Sequence, residues 1–196
     1  MNKLCILIML LVSNLFANNM FIDVTFGKHL EDSSAKYKQL NNGNGSGYST
    51  DETVFKGDIR IGYSFPLTNH ILTEPSLGWG VVSGFGSGVN VNGLYSVEIP
   101  LLYQYEIIKY GVFTRYNYLS DIAISNGRES FELEDKQSYS LGLKIILESK
   151  NINFLVSYEF MCNSVYENSM ISGSEYTYTK LDLEGGYLSL GIRFKF

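Results

Sequence analysis

The sequence predicts an all-β protein, an eight-stranded antiparallel up-and-down transmembrane β-barrel. Two observations predict this fold: apolar and polar residues alternate in eight separate segments, and the connections between those segments are alternately short and long. Alternation with a period of two places one set of side chains on each face of a strand. The composition agrees, because 15 Tyr, 12 Phe and 19 Gly accompany only three Pro.

The first 17 residues have the pattern of a secretory signal peptide. Lys3 gives a positive start, residues 4–12 form an uninterrupted apolar run, and Ala17 is a small residue suited to the cleavage point. The run is shorter than the roughly 20 apolar residues that a membrane-spanning helix needs. We therefore expect residues 1–17 to be removed on export and residues 18–196 to form a single barrel domain.

The alternating segments follow one another along the rest of the chain. Each is close to the length that a tilted strand needs to cross a bilayer, roughly 9–11 residues. In chain order they are 20–27, 54–65, 71–82, 95–105, 110–118, 138–147, 152–161 and 187–196. In the fourth segment, for example, Tyr95 and Val97 flank Ser96 on the opposite parity. We interpret each segment as one strand of the barrel.

The connections between these segments alternate in length. The short ones are 66–70, 106–109 and 148–151, and the long ones are 28–52, 83–93, 120–137 and 161–183. Short turns at one end and long loops at the other are typical of an up-and-down barrel in an outer membrane. The first and last segments then pair, which closes the sheet and removes its open edges.

The volume of the side chains indicates which parity faces outward. About five large apolar residues on each of eight strands exceed the space inside so narrow a barrel, whereas the opposite parity is rich in Gly and Ser. The apolar parity also carries aromatic residues near the segment ends, as interfacial girdles require. These aromatic residues are Phe65, Tyr105, Tyr110, Tyr118, Tyr139, Phe160 and Phe196. The alternative is a lipocalin-like periplasmic carrier, with the apolar parity inside.

The inward parity also carries charged residues of both signs, which we expect to form a structural salt-bridge network in the lumen. They are Asp23, Lys56, Asp58, Arg60, Glu74, Glu98, Arg115, Lys144, Glu159, Arg193 and Lys195. Charges that leave water need partners. Counting from the short turns puts Asp23 level with Arg193, and Arg60 level with Glu74. The partners of Lys144 and Glu159 depend on the strand register. Barrel stagger could bring Glu159 towards either Arg115 or Glu98.

Other chemistries find little support in the sequence. A net charge of −5 without a basic tract does not favour a nucleic-acid partner. Cys162 is the single cysteine beyond residue 17, so we expect an unpaired thiol in a loop. We predict no cofactor and no metal centre. The acidic loop residues Asp51, Glu52, Glu132, Glu134 and Asp135 are interpreted as solvated rather than as cation ligands.

Two histidines bear on catalysis. We place His29 in the first long loop and His70 in a tight turn. A single loop histidine near serines lacks the orienting partner and nucleophile that an active site needs, so we predict that the chain is not an enzyme. The alternative is a lipid-modifying enzyme that uses His29 as its base.

The final segment carries a resemblance to a known family. Leu190, Ile192, Phe194 and Phe196 share one parity and end on an aromatic residue, which resembles the closing strand of bacterial outer-membrane barrels. Residues 96–106, SVEIPLLYQYE, are similar to an Ile-Pro-Leu-Leu strand of small outer-membrane barrel domains. With eight strands, the chain resembles the OmpA/OmpX-type barrel over residues 18–196.

This resemblance implies a location in the outer membrane of a Gram-negative bacterium. The terminal aromatic strand would be the signal that the barrel-assembly machinery reads, and outer-membrane lipid and lipopolysaccharide would be partners of a monomer. The implied role is structural and surface-interactive, with a plugged polar lumen and four surface loops that can act in adhesion to a host or surface ligand. The main alternative is a narrow, gated, porin-like ion channel.

Overall fold

The computed structural model describes residues 19–30, 33–39, 47–85, 89–125, 130–150, 152–169 and 176–196. The predicted signal peptide and its cleavage point at Ala17 lie outside these residues, as does most of the glycine- and asparagine-rich tract 41–47.

Strands account for all of the regular structure in the described residues. They are β1 (Met20–His29), β2 (Ser33–Gln39), β3 (Gly47–Tyr63), β4 (Phe65–Pro66), β5 (Ile71–Thr73), β6 (Ser76–Phe85), β7 (Asn90–Tyr105), β8 (Ile108–Ser125), β9 (Ser130–Leu133), β10 (Lys136–Leu147), β11 (Asn153–Cys162), β12 (Val165–Ser169), β13 (Tyr176–Asp182) and β14 (Gly185–Lys195). The described residues include no helix long and apolar enough to cross a membrane.

Eight of these strands close into a ring. In order around the barrel they are β1, β3, β6, β7, β8, β10, β11 and β14, and every neighbouring pair is antiparallel. The first and last strands meet in register, with Asp23 opposite Arg193 and Phe26 opposite Leu190. The predicted eight-stranded antiparallel up-and-down barrel is therefore confirmed.

The long connections are more ordered than the sequence suggested. The predicted loop 28–52 contains β2 and the first part of β3, and the predicted loop 161–183 contains β12 and β13. These segments pair in the order β12, β13, β2, β3, forming a second sheet that continues from the barrel through β3. The paired strands β12 and β13 follow β11 and precede β14 in the chain, separated from them by residues 163–164 and 183–184.

The third predicted segment, 71–82, is interrupted. It divides into β5 and β6 at Glu74 and Pro75, because proline has no N–H to donate to a ladder. The carbonyl of Pro75 nevertheless accepts a hydrogen bond from the Tyr63 N–H at 3.1 Å. A register shift between Gly80 and Val82 marks an irregularity further along the same strand.

The two faces of the barrel have opposite polarity to those of a soluble protein. Large apolar side chains stand exposed around its outside, and Leu77, Leu141 and Leu190 are each 62% exposed. All seven aromatic residues expected near the strand ends are exposed as well. Charged and small side chains point inward on the same strands. The barrel therefore presents an apolar belt to its surroundings and a polar interior.

The interior also contains apolar layers that the sequence analysis did not anticipate. One buried cluster lies near the short turns and comprises Leu72, Leu102, Ile146 and Leu155. The other lies toward the second sheet and comprises Val54, Val82, Val89, Val91, Leu94, Leu119, Ile122, Met161, Leu183 and Tyr187. The small residues of the inward parity leave room for these larger ones. Along β7 the two clusters lie on opposite sides of Glu98, one through Leu94 and the other through Leu102.

Phe113 fills the lumen at a position where a glycine faces it. A Cβ atom placed on Gly142 would lie 2.4 Å from the Phe113 ring and 2.3 Å from the backbone oxygen of Tyr158. Gly57, which lies on β3 between the buried Lys56 and Asp58, would have no heavy atom within 4 Å of such a Cβ. Gly142 is thus required by the packing of the lumen.

We expect Gly142→Ala to lower the free energy of unfolding by about 1–3 kcal/mol, because the added methyl group meets backbone and an aromatic ring that cannot both move aside. Urea-dependent unfolding in phospholipid vesicles measures the change. Gly57→Ala is the matched control and should be neutral or stabilising by up to about 1 kcal/mol. Equal effects of the two substitutions would contradict the close packing around Gly142.

Candidate functional site: the charged lumen

The strands place ten of the eleven predicted lumen residues in the barrel interior, where they are buried. Lys195 differs, because it lies at the mouth beside the short turns with its side chain 46% exposed. Lys109 is also buried and charged, although the sequence analysis placed it in a turn. It has the same parity as Gly111, Phe113 and Arg115, so extending the fifth predicted segment by one residue would have found it.

Glu98 of β7 is the centre of the network in the middle of the barrel. Its carboxylate accepts hydrogen bonds from Lys144 and from Arg115, the latter from Nε at 3.1 Å, and Arg60 Nη1 lies 3.3 Å away. Arg60 also donates to Asp58 at 2.7 Å. Four strands, β3, β7, β8 and β10, are therefore joined through one carboxylate.

Glu159 of β11 extends this middle network to the remaining side of the barrel. Lys56 donates a hydrogen bond to Glu159 Oε1, and Arg115 forms an ion pair with Oε2. The register question about Glu159 is thereby answered: Arg115 lies beside it, and Glu98 lies on the opposite side of Arg115. Lys144 pairs with Glu98 rather than with Glu159.

A second network lies closer to the short turns. Arg193 holds Asp23 in a bidentate pair, with Nε donating at 2.6 Å and Nη2 at 2.8 Å, and its Nη1 donates to Glu74. Lys109 donates to Glu74 at 2.9 Å and lies 3.1 Å from Glu148. Asp23 and Arg193, which were expected at the same height in the barrel, thus form a direct ion pair.

Arg60 and Glu74, which were expected at the same height in the barrel, do not contact each other. Glu74 pairs with Arg193 and Lys109, whereas Arg60 extends to Asp58 and Glu98. Arg60 has Asp23 opposite it on β1, but both oxygens of that carboxylate are taken by Arg193. The long guanidinium side chain therefore reaches along the lumen instead of across the turn.

The two networks balance their charges differently. The middle one contains the carboxylates of Asp58, Glu98 and Glu159 and the cations of Lys56, Arg60, Arg115 and Lys144. The one near the short turns contains the carboxylates of Asp23, Glu74 and Glu148 and the cations of Lys109, Arg193 and Lys195. The middle of the barrel thus holds one excess positive charge, and the mouth is neutral.

Aromatic rings lie against the buried cations of both networks. The Arg193 guanidinium lies 3.7 Å from the centre of the Phe21 ring, and Arg115 and Lys144 lie 5.0 and 5.3 Å from that of Phe113. Lys56 faces the Tyr187 ring at 5.6 Å. Cations are attracted to such rings through the quadrupole of the π system. The rings therefore stabilise these cations in addition to the carboxylates that pair with them.

His29 and Cys162 are not in loops, contrary to the sequence prediction. His29 is the last residue of β1 and is buried, with its Nε2 2.9 Å from the backbone oxygen of Glu184 and its ring 4.5 Å from that of Tyr187. Cys162 is exposed at the end of β11 and forms no disulfide. His70 does lie in a tight turn, where its carbonyl accepts the Gln104 N–H at 2.7 Å.

Within the described part of the chain, no group of three His, Cys, Asp or Glu side chains could hold a metal ion. Glu134 and Asp135 are exposed between β9 and β10, and the Asp135 carboxylate accepts a hydrogen bond from the Tyr118 hydroxyl at 2.5 Å. The side chains of Asp51, Glu52 and Glu132 lie outside the described part. The described charged residues of the lumen thus form two ion-paired networks.

The fold is shared with solved barrel structures. Neisserial surface protein A (NspA) is 14% identical over 90% of this chain and 97% of its own, with a TM-score of 0.54. The N-terminal β-barrel domain of OprF from Pseudomonas aeruginosa is 15% identical over 91% of this chain and 98% of its own, with a TM-score of 0.52. A scan of family models and a search of curated proteins find no match. At these identities the likeness concerns the fold.

We expect Glu98→Gln to destabilise the barrel by about 3–5 kcal/mol, because it leaves three buried cations around a neutral amide. Urea-dependent unfolding in vesicles measures the loss. Lys195→Met is the control: it removes an exposed partner at the mouth and should change stability by at most about 1 kcal/mol. If the two variants unfold at the same urea concentration, Glu98 does not organise the middle network.

Proposed function

We propose that this chain is an outer-membrane barrel protein of the small OmpA/OmpX type from a Gram-negative bacterium, with a structural and surface-contact role. The observation that carries the proposal is the inverted polarity of the barrel, with large apolar side chains outside and ion pairs inside. The proposal includes export through a signal peptide cleaved after Ala17. A lipocalin-like carrier would need the opposite arrangement.

The energy of hydration supports a lipid environment. Transferring a Val, Leu, Ile, Phe or Met side chain from water to hydrocarbon is worth about 1.5–3 kcal/mol. Side chains such as Ile99 and Leu143, each 57% exposed on the outer face, would leave this energy unrealised in water. Closure of the ring also pairs the backbone groups of every barrel strand, which a bilayer requires.

The height of the apolar belt fits the thickness of a bilayer. Strand β10 has 12 residues, which at a rise of about 3.4 Å each and a tilt of about 40° span about 31 Å. The hydrocarbon core of a typical bilayer is about 30 Å thick. Strands β3 and β8, with 17 and 18 residues, are longer than this span requires. Their additional length would extend beyond the membrane.

We propose that the lumen is closed rather than a channel. The middle network lies between two apolar clusters, and each buried carboxylate of the lumen has a cationic partner. An ion that entered would have to break these pairs within a narrow barrel. Stable openings in planar bilayers whose conductance changes in Arg60→Gln would favour the gated channel instead.

The surface-contact role is supported by the second sheet. Strands β2, β12 and β13 and the first part of β3 lie beyond the eight-stranded ring, on the side opposite the short turns. In the described residues β12 pairs with β13 alone, so its other edge presents backbone groups. A free strand edge can accept an extended segment of another protein. We propose that adhesion to a host or surface ligand uses this sheet.

We further propose that the chain has no catalytic role. The surroundings of His29 support this, because the ring is buried, with its Nε2 2.9 Å from the Glu184 backbone oxygen and its centre 4.5 Å from that of Tyr187. The proposed partners are outer-membrane lipid, lipopolysaccharide and the barrel-assembly machinery, which would read Leu190, Ile192, Phe194 and Phe196. The barrel itself is proposed to act as a monomer that binds neither nucleic acid nor a cofactor.

Replacing residues 165–182 with Asn-Gly should abolish adhesion while preserving the barrel. Ser164 and Leu183 are already joined by a backbone hydrogen bond of 3.3 Å, so a two-residue turn can close the hairpin there. Bacteria that display this variant should bind cultured epithelial cells at least tenfold less than bacteria displaying the full chain. Counting bound bacteria per cell measures the effect.

The control shortens a hairpin that is not part of the second sheet. Residues 124–131 are replaced with Asn-Gly, which joins Ala123 to its cross-strand partner Glu132. Both variants should fractionate with the outer membrane and resist extraction by salt without detergent. Unchanged adhesion in the first variant, or an equal loss in both, would contradict a contact role for the second sheet. Release of the full chain by salt alone would contradict the membrane location.

A further inference from the structure

A cavity of about 260 Å³ opens at the mouth of the barrel, between the short turns. It is slightly smaller than the roughly 300–1,000 Å³ of pockets for drug-sized ligands, so it suits a smaller molecule. The polar side chains that line it come from strand ends and turns, and are Asn19, Ser64, Glu74, Gln104, Lys109, Glu148 and Lys195. Phe21 and Leu72 contribute apolar surface. The cavity is thus a polar cup.

The inner wall of this cup is fixed by buried ion pairs. The carboxylate of Glu74 is held by Arg193 and by Lys109 at 2.9 Å, and Ser64 donates to it at 3.2 Å. Glu74 and Lys109 are both more than nine-tenths buried. Breaking one of these pairs would strand a buried charge. The inner wall therefore keeps its shape whether or not a ligand is present.

The outer rim of the cup is held by a weaker pair. Lys195 donates to Glu148 Oε1, and the side chains of these two residues are 46% and 19% exposed. An ion pair with such access to water contributes little to stability, because water competes for both partners. This pair can therefore be exchanged for ligand groups at low cost, unlike those of the inner wall.

Glu148 remains ionised at neutral pH. Partial burial disfavours its charged form, but the hydrogen bond from Lys195 and the positive charges of Lys109 and Lys195 outweigh this effect and hold the pKa of Glu148 below its ordinary value. The rim therefore offers one carboxylate and one ammonium group side by side.

We propose that the cup binds a small zwitterion, such as an amino acid or a dipeptide, through the exchange of this rim pair. The ligand's ammonium group takes the place of Lys195 on Glu148, and the ligand's carboxylate binds the released Lys195. The mouth network is neutral overall, so a ligand of zero net charge leaves its balance unchanged. Gln104, whose Nε2 lies 3.4 Å from Glu148 Oε2, can donate to the same carboxylate.

The charge balance also distinguishes this class of ligand from simple ions. A lone amine would satisfy Glu148 but leave Lys195 without its carboxylate, and a lone carboxylate would satisfy Lys195 but leave Glu148 with Lys109 as its one cation among the described residues. A zwitterion replaces both halves of the pair at once, and its two charges are covalently linked, which raises the effective concentration of the second contact. We therefore expect binding to require both groups in one molecule.

The full-length chain, refolded in detergent micelles, tests the proposal by NMR titration with glycylglycine. Signals of Glu148 and Lys195 should shift in a saturable manner, whereas ethylamine and propionate should bind at least tenfold more weakly. This measurement needs neither a membrane nor the second sheet, so its result is independent of the proposed adhesion. Absence of saturable shifts with glycylglycine would overturn the proposal.

Matched variants assign the contact to the rim. Glu148→Gln and Lys195→Met should each weaken glycylglycine binding at least tenfold. Glu106→Gln and Lys150→Met, exposed residues of the neighbouring turns that do not line the cup, should leave it unchanged. If all four variants bind equally, or if ethylamine or propionate competes as well as the dipeptide, the rim pair is not the binding site. Retention of the barrel is checked by heat-dependent gel mobility.

Discussion

The structure depends on one constraint: charged side chains that are enclosed by a ring of strands must all find partners inside that ring. Five buried carboxylates and six buried cations meet this requirement through pairs that join strands distant in sequence, such as Arg193 of β14 with Asp23 of β1 and Glu74 after β5. Backbone hydrogen bonds close the ring, and the ion pairs give its interior a defined arrangement. An unpaired charge there would cost several kcal/mol.

The same constraint divides the barrel along its axis. Apolar clusters lie on both sides of the middle network, and the rings of Phe21 and Phe113 lie against buried guanidinium and ammonium groups. Side chains of both kinds occupy the interior, and a cup opens at its mouth. The outer surface, the mouth and the second sheet are the places where we propose that this protein meets other molecules.

Much of the fold is predictable because alternation is local: parity in Tyr95–Tyr105 or in 187–196 assigns each side chain to a face without any knowledge of the partner strand. Features that depend on contacts between distant parts of the chain cannot be predicted from this alternation. The second sheet joins β13 to β2 across more than a hundred residues, and the reach of Arg60 to Glu98 depends on the stagger between strands. Lys109 was missed because the fifth predicted segment began one residue late. Parity assigns Leu102 and Tyr187 to the inward face. Which side chains they pack against depends on the strand register, so the apolar clusters could not be predicted.

Trp79 offers the most direct test of the inverted polarity. It is the single tryptophan of the chain, lies within β6 and is 50% exposed on the outer face. In phospholipid vesicles its fluorescence should be quenched strongly by lipids brominated on their acyl chains and weakly by aqueous iodide. Strong quenching by iodide, with no effect of the brominated chains, would place this face in water and contradict the account of the barrel given above.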